Sequence, residues 1–188
     1  MTIEKQIAEL EAEEIAIKEK LYRLRKQVPR FEVQDYLLHD REGRPIHLHE
    51  LFDKHQQLIL VHNMGKSCPY CTLWADGLNG LTAHLENRAA FVVATPDPHP
   101  IMNDFAKSRN WTFKMVSTAP STLKKDLGFE LEDGSYYPGV STMQMDEHGK
   151  IWHIAKAYFG PGDDFCALWY LFDLLPVEDA NWTPKFQY

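Results

Sequence analysis

Two aliphatic runs, Leu58-Ile59-Leu60-Val61 and Phe91-Val92-Val93-Ala94, constrain this chain more than any other feature. Each is a short unbroken apolar stretch, the pattern of a strand covered on both faces, as in a parallel sheet. Between them Trp74, Leu78, Leu81 and Leu85 recur at helical spacing, which predicts one helix from the Cys68 region to about Asn87. A strand, a helix and a second strand of this kind close as a right-handed crossover.

The remaining pattern extends this core. Before the first run, Tyr36 to His39, the turn Asp40-Arg41-Glu42-Gly43 and Ile46 to Leu48 predict a short strand pair, followed by a helical turn at Leu51-Phe52. After the second run, Pro98 and Pro100 open a helix with Ile101 and Phe105 facing inward. Residues 111–138 are less regular, with a strand from Phe113 to Val116 and a short helix near Ser121 to Leu127. Val140 to Met145, the turn Asp146-Glu147-His148-Gly149 and Ile151 to Ala157 predict a β-hairpin. A last helix, Asp163 to Leu175, buries Phe165, Leu168, Trp169 and Phe172 and stops at Pro176. Parallel pairing first and an antiparallel hairpin later predict a three-layer α/β/α sandwich with a mixed central sheet.

Three units follow: an N-terminal helical arm (1–30), the α/β domain (31–176) and a tail (177–188) that straps the surface with Trp182, Phe186 and Tyr188. In the arm, Ile3, Ile7, Leu10, Ile17, Leu21, Leu24 and Val28 recur at spacings of three and four, with Glu14 at the remaining seam position. Such a helix either packs on its own domain or joins two subunits. The length of the stripe favours the second reading, a homodimer through the arm.

The net charge is -7 and basic residues do not cluster outside the first helix, so no nucleic-acid partner is expected. No apolar stretch reaches the roughly 20 residues needed to span a bilayer, so no membrane association is expected either. The acidic N-terminus lacks the charged and apolar regions of a secretory signal. A cytoplasmic location is expected, where structural disulfides are rare. Three cysteines cannot all pair within one chain.

Two of those cysteines, Cys68 and Cys71, stand in the stretch VHNMGKSCPYCTLW, after the first run and a short loop. Pro69 suits the first position of a helix, because its missing N–H has no intrahelical partner there. Cys68 is then the N-cap, its sulfur facing the free N–H groups and the positive end of the helix dipole. Lys66 adds positive charge. Cysteines so placed have pKa values of about 3.5–7.5 rather than about 8.5. Cys71, one turn later, can reach the same sulfur and resolve a mixed disulfide. Three other readings stand beside a redox pair. A zinc clip would draw on His62, His47, His49 or Cys166, but there is no second CxxC. The pair could also be a permanent disulfide, or a chance placement. Position at a strand-to-helix junction favours the redox reading, with no metal or other cofactor.

CPYC resembles the active-site tetrapeptide of glutaredoxins, and the element order resembles the thioredoxin-like superfamily. The chain is most similar to a bacterial family of thioredoxin-like proteins described as predicted dithiol–disulfide oxidoreductases. The shared features are a charged helix ending at Pro29, Tyr36, Gly43, Leu48 with Leu51-Phe52, and Leu58 through His62 and Met64 to Cys68 and Cys71. Ala75-Asp76, Trp111, Ser117, Pro138-Gly139-Val140-Ser141 and Leu171 to Pro176 complete them. The resemblance implies a thiol–disulfide oxidoreductase acting on a disulfide-containing protein or a small thiol. Cys68 is the implied nucleophile and Cys71 the resolving thiol. His62 stands where thioredoxins hold a buried acid, and an imidazole there can accept the Cys71 proton. A buried histidine bonded to the backbone is the competing reading. Lys66, Pro69, Tyr70, Val140 and Ser141 are the implied substrate-binding residues. Ser141 replaces the cis-proline of thioredoxins and glutaredoxins, a residue that peroxiredoxin-like members also lack.

Two other functions compete. A thiol peroxidase needs a threonine three residues and a proline seven residues before the attacking cysteine, where this chain has Gly65 and Val61. A non-catalytic interaction module would use the fold and the arm alone. Among the remaining residues, Cys166 is an ordinary helix residue or an auxiliary thiol, and His47 and His49 are expected to be one packed and one exposed. Trp74 packs its helix, Trp111 and Trp152 are core or interface aromatics, and Asp76 covers the helix start or makes a polar contact.

Overall fold

The computed structural model describes residues 1–176 and 181–188. Its strands are β1 (Phe31–Val33), β2 (Leu37–His39), β3 (Pro45–His47), β4 (Gln57–His62), β5 (Ala90–Thr95), β6 (Lys114–Ser117), β7 (Gly139–Met145) and β8 (Ile151–Tyr158). Its helices are α1 (Ile3–Arg25), α2 (Pro69–Asn79), α3 (Thr82–Arg88), α4 (His99–Ser108), α5 (Leu123–Asp126) and α6 (Leu168–Asp173), with a 3-10 turn at Leu48–Phe52.

The strands form one mixed sheet in the order β1-β8-β7-β4-β5-β6-β2-β3. The two aliphatic runs are its central parallel pair, with Leu60 opposite Val92 and Val61 opposite Val93, and β6 continues the parallel set. The hairpin β7–β8 lies antiparallel against the other side of β4, placing Ser141 opposite Leu60 and Gly139 opposite His62. Side chains alternate along β5 between two cores, as the period of a strand requires. Val92 and Ala94 join Leu58, Leu60, Phe52, Leu123 and Phe129 on one face. Phe91 and Val93 join Val61, Trp74, Met102, Ala106 and Trp111 on the other. Each fully buried Leu, Val or Phe contributes about 1.5–3 kcal/mol, so the sheet's two covered faces hold the domain together. The expected three-layer arrangement and the long N-terminal helix are both present.

The structure departs from the periodicity in three places. The helix expected to run to about Asn87 is two helices, and Leu81 at the break is 51% exposed. Gly77 and Gly80 weaken helix propagation, and Asn79 turns its side chain to the N–H of Thr112 (2.7 Å) instead of continuing the turn. In α4 the buried positions are Met102 and Ala106 with Phe105 beside them, whereas Ile101 is exposed. The last helix is shorter than expected and buries no residue fully. Asp163 instead closes a turn, accepting from the N–H groups of Gly160 (2.8 Å) and Phe165 (2.8 Å).

α1 is capped by Thr2, whose hydroxyl accepts from the Lys5 N–H at 3.3 Å, and none of its residues is buried. Its apolar stripe faces outward, and Lys18 ties it to the domain through Asp164 at 2.9 Å. Residues 177–180 of the expected tail lie outside the described residues. Beyond them, Trp182 packs on Phe172, Phe186 packs on Phe105, and Arg109 donates to the Phe186 carbonyl at 2.6 Å. Trp182 and Phe186 thus lie on the surface of the domain, whereas Tyr188 is 86% exposed.

Candidate active site

Strand β4 delivers the chain into a loop, 63–67, whose backbone is held from within. The Asn63 N–H donates to the Ala94 carbonyl at 2.9 Å, continuing the β4–β5 ladder. Its side-chain oxygen accepts from the Gly65 N–H at 2.7 Å, and Asp97 accepts from the Lys66 N–H at 2.7 Å. Gly65 has φ +106°, which residues with a Cβ rarely adopt, and a Cβ built there would sit 3.1 Å from the Asp97 carboxylate. These restraints fix where the next helix begins.

That helix is α2, and Cys68 is its N-cap with an extended backbone (φ -96°, ψ 105°) and Pro69 following. The Cys68 sulfur accepts from the Cys71 N–H at 3.0 Å. The Cys71 thiol also donates to it, and this bond, with the N–H groups of Cys71 and Tyr70, outweighs burial and brings the Cys68 pKa down to about 7. The Cys71 thiol is pushed strongly upward: it shares its proton with Cys68, is buried, and faces the Cys68 charge. Two groups pull the other way, the Met64 N–H at 3.5 Å and the charge of Lys124. Cys68 is 8% exposed and Cys71 3%, and both are free thiols. One sulfur is thus disposed to be a thiolate near neutrality and the other to hold its proton in reserve.

His62, at the end of β4, is fully buried. Its Nε2 lies 3.0 Å from the Ser141 hydroxyl, which also lies 3.2 Å from Nε2 of His153. The ring stacks on Phe129 at 3.7 Å, and Nδ1 has no hydrogen-bond partner among the described residues. Burial, reinforced by the charges of Lys124 and Lys156 and by the neighbouring His153 ring, holds His62 neutral. Its side-chain bond therefore runs to Ser141, and no hydrogen bond among the described residues joins it to either sulfur.

The other expected site residues divide. Pro69 and Tyr70 are half-buried beside the pair, Lys66 is exposed, and Val140 is half-buried opposite Val61. Ser141 is 0% exposed and faces the two histidines, so in this conformation it is an interior residue with no surface for a substrate. Cys166 is half-buried against the core that holds Trp169, and burial raises its thiol pKa. His47 and His49 are both exposed, with Nδ1 atoms 3.1 and 2.7 Å from Asp35, whose carboxylate also accepts the His49 N–H at the start of the 3-10 turn. Trp74 and Trp111 are core residues. Asp76 makes a polar contact, accepting from Arg109 and from Trp111 Nε1 (2.8 Å) and so tying α2 to the end of α4.

Three residues at the site were not anticipated: Asn63 and Asp97, which shape the loop, and Lys124 on α5. Lys124 is 1% exposed, and its ammonium donates to the Asn63 carbonyl at 2.9 Å. Desolvation lowers its pKa to about 7. A sequence signal for it existed in Leu123-Lys124-Lys125-Asp126-Leu127, where helical spacing sets Lys124 beside the two buried leucines.

A mixed sheet layered between helices, with Cys68 capping the helix after a central strand, is a thioredoxin-like fold. The chain belongs to the family described as "Bacterial protein of unknown function (DUF899)", whose family model matches residues 3–183. No curated protein matches the sequence. Among solved structures, the fold is similar to the peroxidoxin BcpB of Mycobacterium tuberculosis, with 23% identity and a TM-score of 0.55 over 68% of this chain and 83% of that one. It is also similar to peroxiredoxin Q of Xanthomonas campestris, with 16% identity and a TM-score of 0.51 over 65% of this chain and 79% of that one. A peroxiredoxin-like protein from Aquifex aeolicus matches with 13% identity and a TM-score of 0.51, covering 68% of this chain and 73% of that one.

Proposed function

We propose that the protein is a dithiol–disulfide oxidoreductase in which Cys68 attacks and Cys71 resolves. The observation that carries this reading is the Cys68 sulfur at the N-cap of α2, receiving the Cys71 N–H at 3.0 Å with its pKa drawn to about 7. The Cys68 thiolate attacks a disulfide R–S–S–R′, forming a bond to one sulfur and expelling R′–S⁻, which takes a proton from water. Cys71 then loses its proton and attacks Cys68, expelling R–S⁻ and leaving the Cys68–Cys71 disulfide. The substrate gains two electrons and the dithiol loses them. An external thiol reductant restores the pair.

Pro69, Tyr70 and Val140, with Lys66 outside them, form the rim a disulfide-containing protein or small thiol would meet. Such a dithiol suits a reducing compartment, and we place the protein in the cytoplasm. No helix among the described residues is long and apolar enough to cross a membrane. The outward apolar stripe of α1 supports a homodimer joined through that helix. Insulin-disulfide reduction tests the activity: Cys68→Ser should abolish it, while Cys71→Ser should accumulate a mixed disulfide at Cys68. Full activity in Cys68→Ser would overturn Cys68 as the nucleophile, and no activity in the native protein would leave only a non-catalytic binding role.

Peroxide reduction by the same Cys68 is a second reading, supported by the peroxiredoxin folds of the structural neighbours. There the thiolate takes one peroxide oxygen to become a sulfenic acid while the other leaves, with a proton, as water or an alcohol. The Cys71 thiol then condenses with the sulfenic acid, closing the disulfide and releasing water. Against it stands Gly65 at the position of the peroxidase threonine, with a positive φ that disfavours any β-branched residue. Peroxide consumption measured beside insulin reduction separates the two activities.

A further inference from the structure

The resolving cysteine presents a problem that the N-cap does not solve. Cys71 must become a thiolate to attack the mixed disulfide, yet it is buried and holds its proton tightly. While Cys68 is a thiolate, it accepts that proton's hydrogen bond. Once Cys68 is bonded to a substrate sulfur, its negative charge is gone and so is its reason to hold the Cys71 proton.

The geometry points to Lys124 as the positioning residue that sets how readily Cys71 gives up its proton, acting through the single Asn63–Met64 peptide group. The carbonyl of that peptide accepts from the Lys124 ammonium at 2.9 Å, and its N–H donates to the Cys71 sulfur at 3.5 Å. Hydrogen bonds in series polarise one another in a low-dielectric interior, so a charged donor on the carbonyl strengthens the N–H at the other end. The same charge acts on the sulfur directly through space. Deprotonation of Cys71 therefore favours a protonated Lys124, and a proton leaving the sulfur finds a nearby cation already neutralising the new charge.

A purely structural lysine accounts poorly for this placement. An ammonium taken out of water is costly, and apolar side chains would fill the same volume more cheaply. Lys124 forms no ion pair among the described residues. Its surroundings are the Asn63 carbonyl, the Tyr136 ring at 5.9 Å, Cys71, and the more distant charges of Glu130 and Asp97. His62 lies within its field, which adds to burial in keeping that ring neutral. The groups bearing on Cys71 are Cys68, the Met64 N–H and Lys124. Lys124 is absent from the groups that set the Cys68 pKa, so its charge bears on Cys71 directly and reaches Cys68 only through the bond between the two sulfurs.

The inference rests on the disulfide-exchange reading, and one experiment distinguishes the two. Reduced Cys166→Ala protein, which lacks the third free thiol, is mixed with one equivalent of dithiobis(nitrobenzoate), a symmetric aromatic disulfide, and the coloured thiolate is followed in time. Attack by Cys68 releases one thiolate, and resolution by Cys71 releases a second as the Cys68–Cys71 bond closes. In Lys124→Met the first release should keep its native rate. The second should slow by about tenfold or more at neutral pH, and its pH midpoint should move upward, a unit of pKa being a factor of ten. Lys124→Gln, which keeps a donor for the Asn63 carbonyl but no charge, should also slow the second step, and it serves if the methionine variant does not fold. A native second step, with its native pH midpoint, in either folded variant overturns the role of Lys124 and leaves disulfide exchange standing. Absence of a second release with Lys124 in place overturns both.

Discussion

Cys68 owes its disposition to local chemistry, and for that reason its place at the helix start was legible in the sequence. A proline after a cysteine, an apolar run before it and a helical stripe after it specify an N-cap, and the sulfur takes the Cys71 N–H as that pattern requires. The interior polar residues were not legible in the same way. His62, Ser141 and His153 meet because β4, β7 and β8 pair side by side, a consequence of long-range register that single residues do not announce. Their burial has a measurable result. His153 is held at a pKa of about 4, first by burial and then by Lys156, and His62 is also held well below its usual value. The unfolded chain takes up these protons near pH 6.5 and the folded chain does not, so stability is intact above that value and falls as pH drops toward 4. The slope is at most about 1.4 kcal/mol per pH unit for each histidine. Urea midpoints should therefore be lower at pH 5 than at pH 7, and less so in His153→Gln. A midpoint unchanged over that interval would contradict the assignment of both rings as neutral.

At the scale of elements, apolar runs and turns were read closely, and helix lengths were not. Strands β4 and β5 lie where continuous burial on two faces demands them, and the β7–β8 hairpin turns at the expected Asp146 to Gly149 segment. Helices were overextended because periodicity does not register local competitors: Asn79 with two glycines ends α2, and the Asp163 turn delays α6. The loop between β4 and α2 shows the same competition put to use. Gly65 adopts a conformation that an added Cβ would strain, while Asn63 and Asp97 hold its neighbours. Gly65→Ala should cost about 1–3 kcal/mol in urea unfolding. It should also raise the Cys68 pKa, because the loop no longer sets the sulfur squarely on the helix end. An alanine variant with native stability and native Cys68 acidity would mean the loop is not a rigid support.

For the whole molecule, the layered core was legible because two aliphatic strings can only be sheltered in the middle of a sheet. One edge was not: β1 has three residues, and its pairing with β8 joins parts of the chain distant in sequence, whereas the β2–β3 edge follows the expected strand pair. The arm is the reverse case, a sequence pattern stronger than its intramolecular use. Ile7, Leu10, Ile17, Leu21 and Leu24 are all exposed along α1, an apolar face larger than a single subunit covers. If a second copy covers it, the double variant Leu10→Asp, Leu21→Asp should be a monomer by light scattering with its fold unchanged. A monomeric native protein at the same concentration would contradict the homodimer.

Disulfide exchange at this site requires a cysteine that ionises near neutrality while its neighbour does not. The most direct measurement is the pH dependence of iodoacetamide alkylation of the reduced protein, with the modified residue located by mass spectrometry. Labelling is expected at Cys68 with a midpoint near pH 7 and Cys71 left unmodified. A midpoint near the ordinary thiol value of about 8.5, or labelling that begins at Cys71, would contradict it.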